Sequence, residues 1–380
     1  MSRTSSTPSI KATRRAILGA SAAFMMRPPN IFATPTVPHG TVGPRNLITD
    51  VPGLKVGYAD APSNCTGVNV ILPDAPAVAA VDVRGGGPAT RETDTLTLGN
   101  LVHTVDAIVL SGGSVYGLAS GDGAAAWLGA RGRGFSFHPS ATVPPAPIVP
   151  TAALYDLATG GDKNWGENPP YHTLGIAAAS RASDSFPLGT HGAGYGATAG
   201  ALKGGLGSAS YITHDGITVG AIVACNSLGS VIAPGGRRFW AGEFEIGDEF
   251  GGLGAPKSRV TPEDWGLAKL NPQPRANTTL ACIATDVTLT NDELKRVAII
   301  AQDGMARAIR PVHAPFDGDV VFALSTARQA APSDPTSLER SILVTRIGSL
   351  AADVLARAIA RGVYLATCPP GMTTQPWSNL

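Results

Sequence analysis

The chain has 380 residues, enough for an enzyme with a large core, so length alone excludes only a small module. Charged residues supply 15% of the chain, whereas 46 glycines and 31 prolines indicate many turns. A formal net charge of +1 provides no long-range field for a polyanion, so no nucleic-acid partner is expected.

The first 33 residues are arranged like an export signal. Arg14 and Arg15 directly precede the short apolar segment 16–26, and no acidic residue occurs before Asp50. This order is typical of a twin-arginine signal. The apolar segment is shorter than the ~20 residues that a spanning helix needs, so no membrane association is expected after signal removal. We therefore predict a signal at 1–33 and a periplasmic protein, with a cytoplasmic location as the alternative.

The rest of the chain, 34–380, is expected to form one domain of mixed α+β structure. Short apolar runs bounded by glycine and proline predict strands. These runs are 53–58, 68–72, 78–83, 107–110, 216–225, 280–284 and 320–324. An Ala-rich segment that begins at Ser114 predicts a helix between them.

Two firmer helices are predicted towards the C-terminus. Thr290 and Glu293 have the spacing of a capping box before one apolar periodic segment, and Thr336 and Glu339 have it before another. Gly362 is the expected stop residue of the second helix.

Residues 230–277 have no sustained helical or strand period and are dense in glycine, proline and charge. A segment of this length inside a domain predicts a mobile connection, and such a segment can be cut without dismantling a core. It ends at Asn277-Thr278, directly before an apolar strand.

Cleavage between Asn277 and Thr278 would make Thr278 an N-terminal residue. Its α-amino group, with a pKa near ~7.7–8.0, could then act as the base for its own hydroxyl. Taken alone, a threonine here is more often an ordinary β-branched start of a strand.

Polar side chains stand at the ends of two other predicted strands. Asp317 and Asp319 flank Gly318 before an apolar run, and residues i and i+2 of an extended chain face the same side. The two carboxylates could orient the hydroxyl and amine of Thr278, with a solvated Asp-Gly turn as the alternative. Asn226 ends a strand and could donate to an oxyanion or cap a turn.

A glycine-rich segment, 191–210, would let the backbone approach a substrate, and Lys203 within it would supply a cation or be solvated. It lacks the preceding strand and following acid of a dinucleotide site. Ser114 lacks the glycine pattern of a nucleophile elbow, and no histidine has the spacing of its partner. The four cysteines are widely separated and leave any disulfide pairing open, so neither a metal nor another cofactor is expected.

Several ordered motifs together resemble one family, the DmpA/BapA-type self-processing peptidases, which are L-aminopeptidases/D-esterases and include nylon-oligomer hydrolases. The motifs are NLITDVPGLKVGYAD (46–60), TGVNVIL (66–72), DVRGGGPATRETD (82–94), VLSGGSVYGLASGDG (109–123), PIVPTAALYDL (147–157), GATAGALKGG (196–205), NTTLACIATD (277–286) and RPVHAPFDGDVVFAL (310–324). The resemblance implies a four-layer αββα sandwich like that of N-terminal-nucleophile hydrolases. It also implies one self-cleavage, into chains 34–277 and 278–380, and a homo-oligomer, a tetramer of processed units.

The resemblance also assigns roles at the site. It implies that Thr278 is the nucleophile and that its bond to Asn277 is cut. The remaining positions are Asn226 and Tyr155 on the oxyanion side, Lys203 as a lysine of the nylon-oligomer branch, and Asp317 and Asp319 as the pair that orients the nucleophile.

The threonine and the DGD pair are similar to the nylon-oligomer branch, because many aminopeptidase members have serine at the nucleophile and a Ser and Glu pair. Members that bind a free amine use an acidic residue, whereas Ala152 and Ala153 stand beside Tyr155 and Asp156 is the only acid nearby. The sequence therefore favours an amide-bond hydrolase acting on short peptides, amino-acid amides or related oligoamides over a strict aminopeptidase. The alternatives are an acyltransferase of the ornithine-acetyltransferase type and an exported binding protein that is never cut.

Overall fold

The computed structural model describes residues 38–140, 142–257, 259, 261–269 and 277–380. The chain divides into Met1–Pro38 and His39–Leu380, and all secondary structure described below lies in the second unit. The signal predicted at 1–33 and the predicted domain start at residue 34 lie outside the described residues. Within those residues, no helix combines the length and apolar character needed to cross a bilayer.

Thirteen strands and four helices form within the described residues. The strands are β1 (Leu54–Ala61), β2 (Thr66–Pro73), β3 (Ala77–Val83), β4 (Ala89–Arg91), β5 (Thr104–Val105), β6 (Ile108–Ser111), β7 (Thr151–Ala153), β8 (Thr198–Ala199), β9 (Leu202–Lys203), β10 (Gly205–Ile212), β11 (Thr218–Asn226), β12 (Thr278–Val287) and β13 (Val320–Gln329). The helices are α1 (Ala119–Gly129), α2 (Tyr171–Ser180), α3 (Asn291–Ala308) and α4 (Leu338–Tyr364).

The strands form two stacked sheets covered by helices on both outer faces. The first sheet has the order β1-β2-β6-β7-β4 and the second has the order β10-β11-β12-β13-β3-β5, while β8 and β9 form a separate pair. Helices α1 and α2 pack on the first sheet, and α3 and α4 pack on the second. Three apolar layers result, one between the sheets and one under each helix pair. The predicted αββα sandwich is confirmed.

The central strand β12 shows why apolar runs predicted this core. Leu280 and Cys282 face the layer between the sheets, whereas Ala281 and Ile283 face α3 and α4. Because both faces are covered, the strand is a continuous apolar run rather than an alternating one. It pairs antiparallel with β11 and parallel with β13, so the start of β12 and the end of β11 meet at one edge of the sandwich.

All seven predicted strands are present, but the glycine-rich segment differs from expectation. Its second half forms β10, which is paired with β11 along its whole length. A Cβ on Gly207 would lie 1.8 Å from the carbonyl oxygen of Ala358 in α4. Gly362, the predicted stop residue, lies within α4, and its carbonyl oxygen would be 2.3 Å from a Cβ on Gly205. These glycines therefore allow helix and sheet backbones to touch.

A glycine also allows the first two helices, α1 and α2, to pack closely together. The segment from Ser114 begins with a 3₁₀ turn, and α1 follows it only at Ala119. Helix α2 has weak sequence signals and was not predicted. A Cβ on Gly123 of α1 would lie 2.0 Å from the carbonyl oxygen of His172 in α2. Glycine lowers helix propensity here but permits backbone contact between the two helices.

One of the two predicted capping boxes is confirmed. The Thr290 hydroxyl accepts from the N–H of Glu293, and the Glu293 carboxylate accepts from the N–H of Thr290. The box predicted at Thr336 is wrong, because α4 begins one residue later. The N-cap there is Ser337, which accepts from the N–H of Arg340 at 3.1 Å.

The first part of 230–277, up to residue 250, is packed against the domain, whereas the described residues from 251 to 269 are mostly exposed and form no helix or strand. Phe239 and Phe250 are buried and contact each other, and Phe239 stacks on Trp377 near the C-terminus. Glu249 forms a buried ion pair with Arg357 of α4 at 2.5 Å. Trp377 and Arg357 are distant from this segment in sequence, so the local pattern could not indicate their contacts with it.

Candidate functional site

Thr278 is the first residue of β12, and Asn226 is the last residue of β11. The two residues are paired across the antiparallel ladder. Directly opposed residues have Cβ atoms about 4.5–5.5 Å apart on the same face. Thr278 is 2% exposed and Asn226 is fully buried. The sheet thus places side by side two residues separated by a long stretch of sequence.

The carbonyl oxygen of Asn277 receives two hydrogen bonds. The hydroxyl of Thr278 donates to it, and the N–H of Gly318 donates to it at 3.0 Å. Residue 318 must be small, because a Cβ there would lie 2.7 Å from Oγ1 of Thr278. The peptide bond that precedes Thr278 is therefore fixed beside the Thr278 hydroxyl, with a main-chain donor on its oxygen.

Asn226 is held at both ends of its amide. Its Oδ1 accepts from the N–H of Thr198 at 2.9 Å, and its Nδ2 donates to the main-chain carbonyl of Tyr155 at 3.1 Å. Tyr155 thus lies next to Asn226, as the family resemblance implied, and this described contact uses the Tyr155 backbone rather than its phenol. The fixed amide orientation places a donor group beside Thr278.

Asp319 is a buried carboxylate in the turn before β13. Its Oδ1 accepts from the N–H of Thr279 at 2.8 Å. Its Oδ2 accepts from the N–H of His313 at 3.1 Å and lies 2.9 Å from Nδ1 of the same histidine. Asp319 is 1% exposed, so the alternative of a solvated turn is wrong.

Asp317 is equally buried and accepts from the N–H groups of Leu228 at 3.3 Å and Ala314 at 3.0 Å. Burial, with the neighbouring Asp319 carboxylate as a second cause, raises the pKa of Asp317 to about 7. Within the described contacts, both carboxylates bind main-chain amides around Thr278 rather than Thr278 itself. They hold the backbone that surrounds Thr278 in place.

The glycine-rich motif at 82–94 encloses this turn. The N–H of Gly87 donates to the carbonyl of Asp317 at 2.8 Å, and that of Gly85 donates to the carbonyl of Asp319 at 3.2 Å. A Cβ on Gly85 would lie 2.2 Å from the nitrogen of Asp319. The motif therefore holds the DGD backbone, which in turn positions the Gly318 donor.

Lys203 lies inside the protein and is fully buried, so the alternative of a solvated lysine is wrong. Burial lowers its pKa to about 7. Its ammonium donates to three main-chain carbonyls of the glycine-rich segment, those of Gly194, Ala197 and Gly204. The same segment carries Thr198, the partner of Asn226, so the described contacts link Lys203 to the site through the backbone.

The acid beside Tyr155 is also buried. Asp156 is fully buried, accepts from the N–H of Gly113 at 2.8 Å, and has its pKa raised by desolvation. A Cβ on Gly112 would lie 2.2 Å from its Oδ2. This carboxylate is packed into the loops around it.

Two polar residues at the site were missed from the sequence. His313 contacts Asp319, and Lys269 donates from Nζ to Oδ1 of Asn277 at 2.8 Å. Their only sequence signals were a place in the RPVHAPFDGD motif and a place near the end of 230–277. Neither residue lies at a sequence spacing that would have marked it as a site residue. Both contacts form only in the tertiary fold.

The profile of Peptidase family S58 matches residues 46–375. This chain belongs to Peptidase family S58. The earlier resemblance to DmpA/BapA-type peptidases is thereby confirmed, and the chain is a peptidase or amidohydrolase.

Relatives of this S58 peptidase cover nearly all of the matched region. An uncharacterized aminopeptidase of Mycobacterium tuberculosis is 41% identical over 346 residues, which are 87% of this chain and 96% of the relative. A 6-aminohexanoate-oligomer endohydrolase of Kocuria sp. is 30% identical over 345 residues, which are 87% of this chain and 90% of that enzyme.

Solved structures share the fold of the S58 peptidase. The L-aminopeptidase D-Ala-esterase/amidase of Ochrobactrum anthropi, described as a variant of the Ntn-hydrolase fold, has a TM-score of 0.61 at 20% identity, with 88% of this chain and 90% of that chain covered. A β-aminopeptidase of Burkholderia sp. has a TM-score of 0.60 at 21% identity, with 86% and 88% covered.

Proposed function

We propose that this S58 peptidase cuts its own chain between Asn277 and Thr278 and then hydrolyses amide bonds with Thr278 as the N-terminal nucleophile. One observation carries the proposal. The carbonyl oxygen of Asn277 accepts from the hydroxyl of Thr278 and from the N–H of Gly318, which supports an attack of this hydroxyl on this carbonyl with the N–H as oxyanion donor.

Self-cleavage begins when Oγ1 of Thr278 attacks the carbonyl carbon of Asn277. Negative charge develops on the carbonyl oxygen, where the N–H of Gly318 donates. The C–N bond then breaks, and its nitrogen takes the proton that the Thr278 hydroxyl has lost and becomes the free α-amine of Thr278. Water hydrolyses the remaining ester, which releases the Asn277 carboxylate and restores the hydroxyl.

Turnover by the processed enzyme repeats this chemistry on an external amide. The α-amine of Thr278 takes the hydroxyl proton as Oγ1 attacks the substrate carbonyl, and it returns the proton to the leaving amine. An acyl ester on Thr278 forms, and water frees the acid. Asn226, opposed to Thr278 and held by Tyr155 and Thr198, is the oxyanion donor in this account.

The proposed substrates are short peptides, amino-acid amides and related oligoamides. The relatives named aminopeptidase and 6-aminohexanoate-oligomer endohydrolase support amide hydrolysis. Beside Tyr155 stand Ala152 and Ala153, and Asp156 is buried against Gly113. This environment supports hydrolysis of internal amide bonds over a strict requirement for a free amine.

The proposal extends to the whole protein. After removal of the signal at 1–33, self-cleavage would give a large chain, 34–277, and a small chain, 278–380, that remain together in the periplasm. The paired arginines support export. The family resemblance supports a homotetramer of processed units.

The test is to incubate the purified protein with amino-acid p-nitroanilides, amino-acid amides and 6-aminohexanoate oligomers, and to stop samples in acid for intact mass spectrometry. We expect free acid and amine as products and a transient acyl mass on the 278–380 chain. Thr278→Ser is the control that keeps the hydroxyl and should show the same adduct. Turnover without any adduct on that chain in either protein, under conditions where product forms in a burst, would exclude Thr278 as nucleophile.

A further inference from the structure

Lys269 contacts Asn277, the residue that precedes the proposed cut. Lys269 itself lies outside β12, the strand that begins with Thr278. Its Nζ donates to Oδ1 of Asn277 at 2.8 Å. Its own N–H donates to the carbonyl of Leu228 at 2.9 Å, which fixes the base of the lysine side chain just beyond β11. The lysine thus connects the backbone beside Asn226 to the side chain of Asn277.

Asn277 is fully buried and is held at two points. Its main-chain oxygen receives the Gly318 and Thr278 donors, while its side-chain oxygen receives Lys269. Its buried Nδ2 has no hydrogen-bond partner in the described part of the chain. Within that part, Lys269 is therefore the side chain that fixes the rotation of the Asn277 amide.

Lys269 stays largely an ammonium at neutral pH. Burial lowers its pKa to about 8, and the nearby carboxylate of Asp317 opposes that shift. This ammonium donates to Oδ1 of Asn277.

We propose that Lys269 is a positioning residue for self-cleavage, because it holds the side chain of Asn277 and thereby fixes the Asn277–Thr278 peptide against the Thr278 hydroxyl. The proposal rests on the proposed function. Lys269 contacts no reacting atom in the described structure. Small losses of alignment slow such intramolecular attacks strongly.

The role of Lys269 is specific to the first, self-directed reaction. Hydrolysis of an external substrate uses the Thr278 amine and a carbonyl that does not belong to Asn277. A change at Lys269 should therefore slow chain cleavage without lowering turnover per processed chain, and a general folding defect would lower both.

The experiment follows cleavage of the full chain during a pulse and chase with labelled methionine in a cell-free translation. Met305 and Met372 report the small chain, and the uncut chain carries them as well. The variants are Lys269→Met, Asn277→Leu and the double variant. Lys257→Met is the matched control, because Lys257 is an exposed lysine of the same segment.

We expect Lys269→Met and Asn277→Leu each to slow cleavage by about 10- to 100-fold, the range for loss of a hydrogen bond to a charged group, and Lys257→Met to cleave like wild type. Because both changes remove the same contact, the double variant should be no slower than the slower single variant. Once chains have been cut, turnover per processed chain should equal that of wild type in Lys269→Met.

Cleavage of Lys269→Met at the wild-type rate would overturn the proposal, and so would independent, multiplied effects in the double variant. If Lys269→Met does not fold, Asn277→Leu tests the contact from its other end, and a wild-type rate there overturns the proposal as well. Absence of cleavage in wild type would instead refute the proposed function, so the two failures are distinguishable.

Discussion

At the scale of single residues, the site depends on short side chains placed next to main-chain donors. Thr278 lies against the carbonyl of Asn277 because residue 318 has no side chain, and Asn226 lies opposite because the β11 and β12 ladder pairs the two positions. Asp317 and Asp319 use their oxygens on the amides of the surrounding backbone. The acids thus shape the backbone around Thr278, while in the proposed mechanism the threonine, the asparagine and a glycine N–H carry out the reaction.

Asn226→Ala should lower kcat for an amide substrate by about 10²–10³-fold, because it removes a positioned oxyanion donor. Asn226→Asp is the matched variant, since it keeps an acceptor for the N–H of Thr198 and loses the donor. Both variants should lose a similar factor in steady-state assays corrected for the fraction of cut chains. Unchanged kcat in Asn226→Ala would remove Asn226 from the mechanism.

Asp317 should lower the free energy of unfolding as the pH rises. The pKa of an aspartate is near ~3.9 in an unfolded chain, whereas in the fold burial and Asp319 raise it to about 7. Between these values the folded state binds the proton and the unfolded state does not, so this group removes stability as the pH rises. The measurement is urea unfolding of the Thr278→Ala protein, with and without the further change Asp317→Asn. Thr278→Ala is used as the background because it should leave the chain uncut.

The free energy of unfolding of the protein that retains Asp317, relative to that of the Asp317→Asn variant, should fall as the pH rises from about 4 to about 7 and then level off. A difference that stays constant over this range, or that rises, would contradict the raised pKa.

At the scale of elements, sequence predicted the long central strands well and the glycine-rich pieces poorly. β12 and β13 are apolar runs because they are covered on both faces, and that signal is local. β10 contains glycines that a strand pattern disfavours, and their reason is the backbone of α4, far away in the sequence. The capping box at Thr290 is local and was correct, whereas Thr336 and Ser337 compete for one helix start.

Ser337→Ala should lower the free energy of unfolding by about 0.5–2 kcal/mol, because it removes the acceptor for the N–H of Arg340 at the start of α4. Thr336→Ala is the matched control and should cost less, since its hydroxyl contacts the exposed Asp334 outside the helix. Urea unfolding of the two variants measures the difference. A larger loss of unfolding free energy in Thr336→Ala would instead identify Thr336 as the N-cap residue of α4.

At the scale of the whole chain, the family resemblance implied an αββα peptidase, and the fold and family agree. Thr278, Asn226 and the DGD turn were recognisable because each stands at the end of an apolar strand. His313 and Lys269 were not, since only the folded chain brings them to Asp319 and Asn277. Likewise, the burial of Lys203 depends on glycine-rich turns whose carbonyls converge on it.

The predicted export signal at 1–33 can be tested in the full-length precursor. Replacing Arg14 and Arg15 together by lysine should keep the charge but remove the twin-arginine pattern. The protein should then accumulate in the cytoplasmic fraction of a bacterial host with this export pathway, while wild type and the control Arg27→Lys appear in the periplasmic fraction. Equal periplasmic yields from all three proteins would contradict a twin-arginine signal.

In the proposed mechanism, Thr278 becomes an N-terminal nucleophile by cutting its own chain. The most direct measurement is the intact mass of freshly purified wild type and Thr278→Ala. We predict two wild-type chains that meet between Asn277 and Thr278, and a single uncut chain in the variant. A single uncut chain in wild type that hydrolyses amides at full rate would contradict the account, because Thr278 would then have no free amine to act as its base.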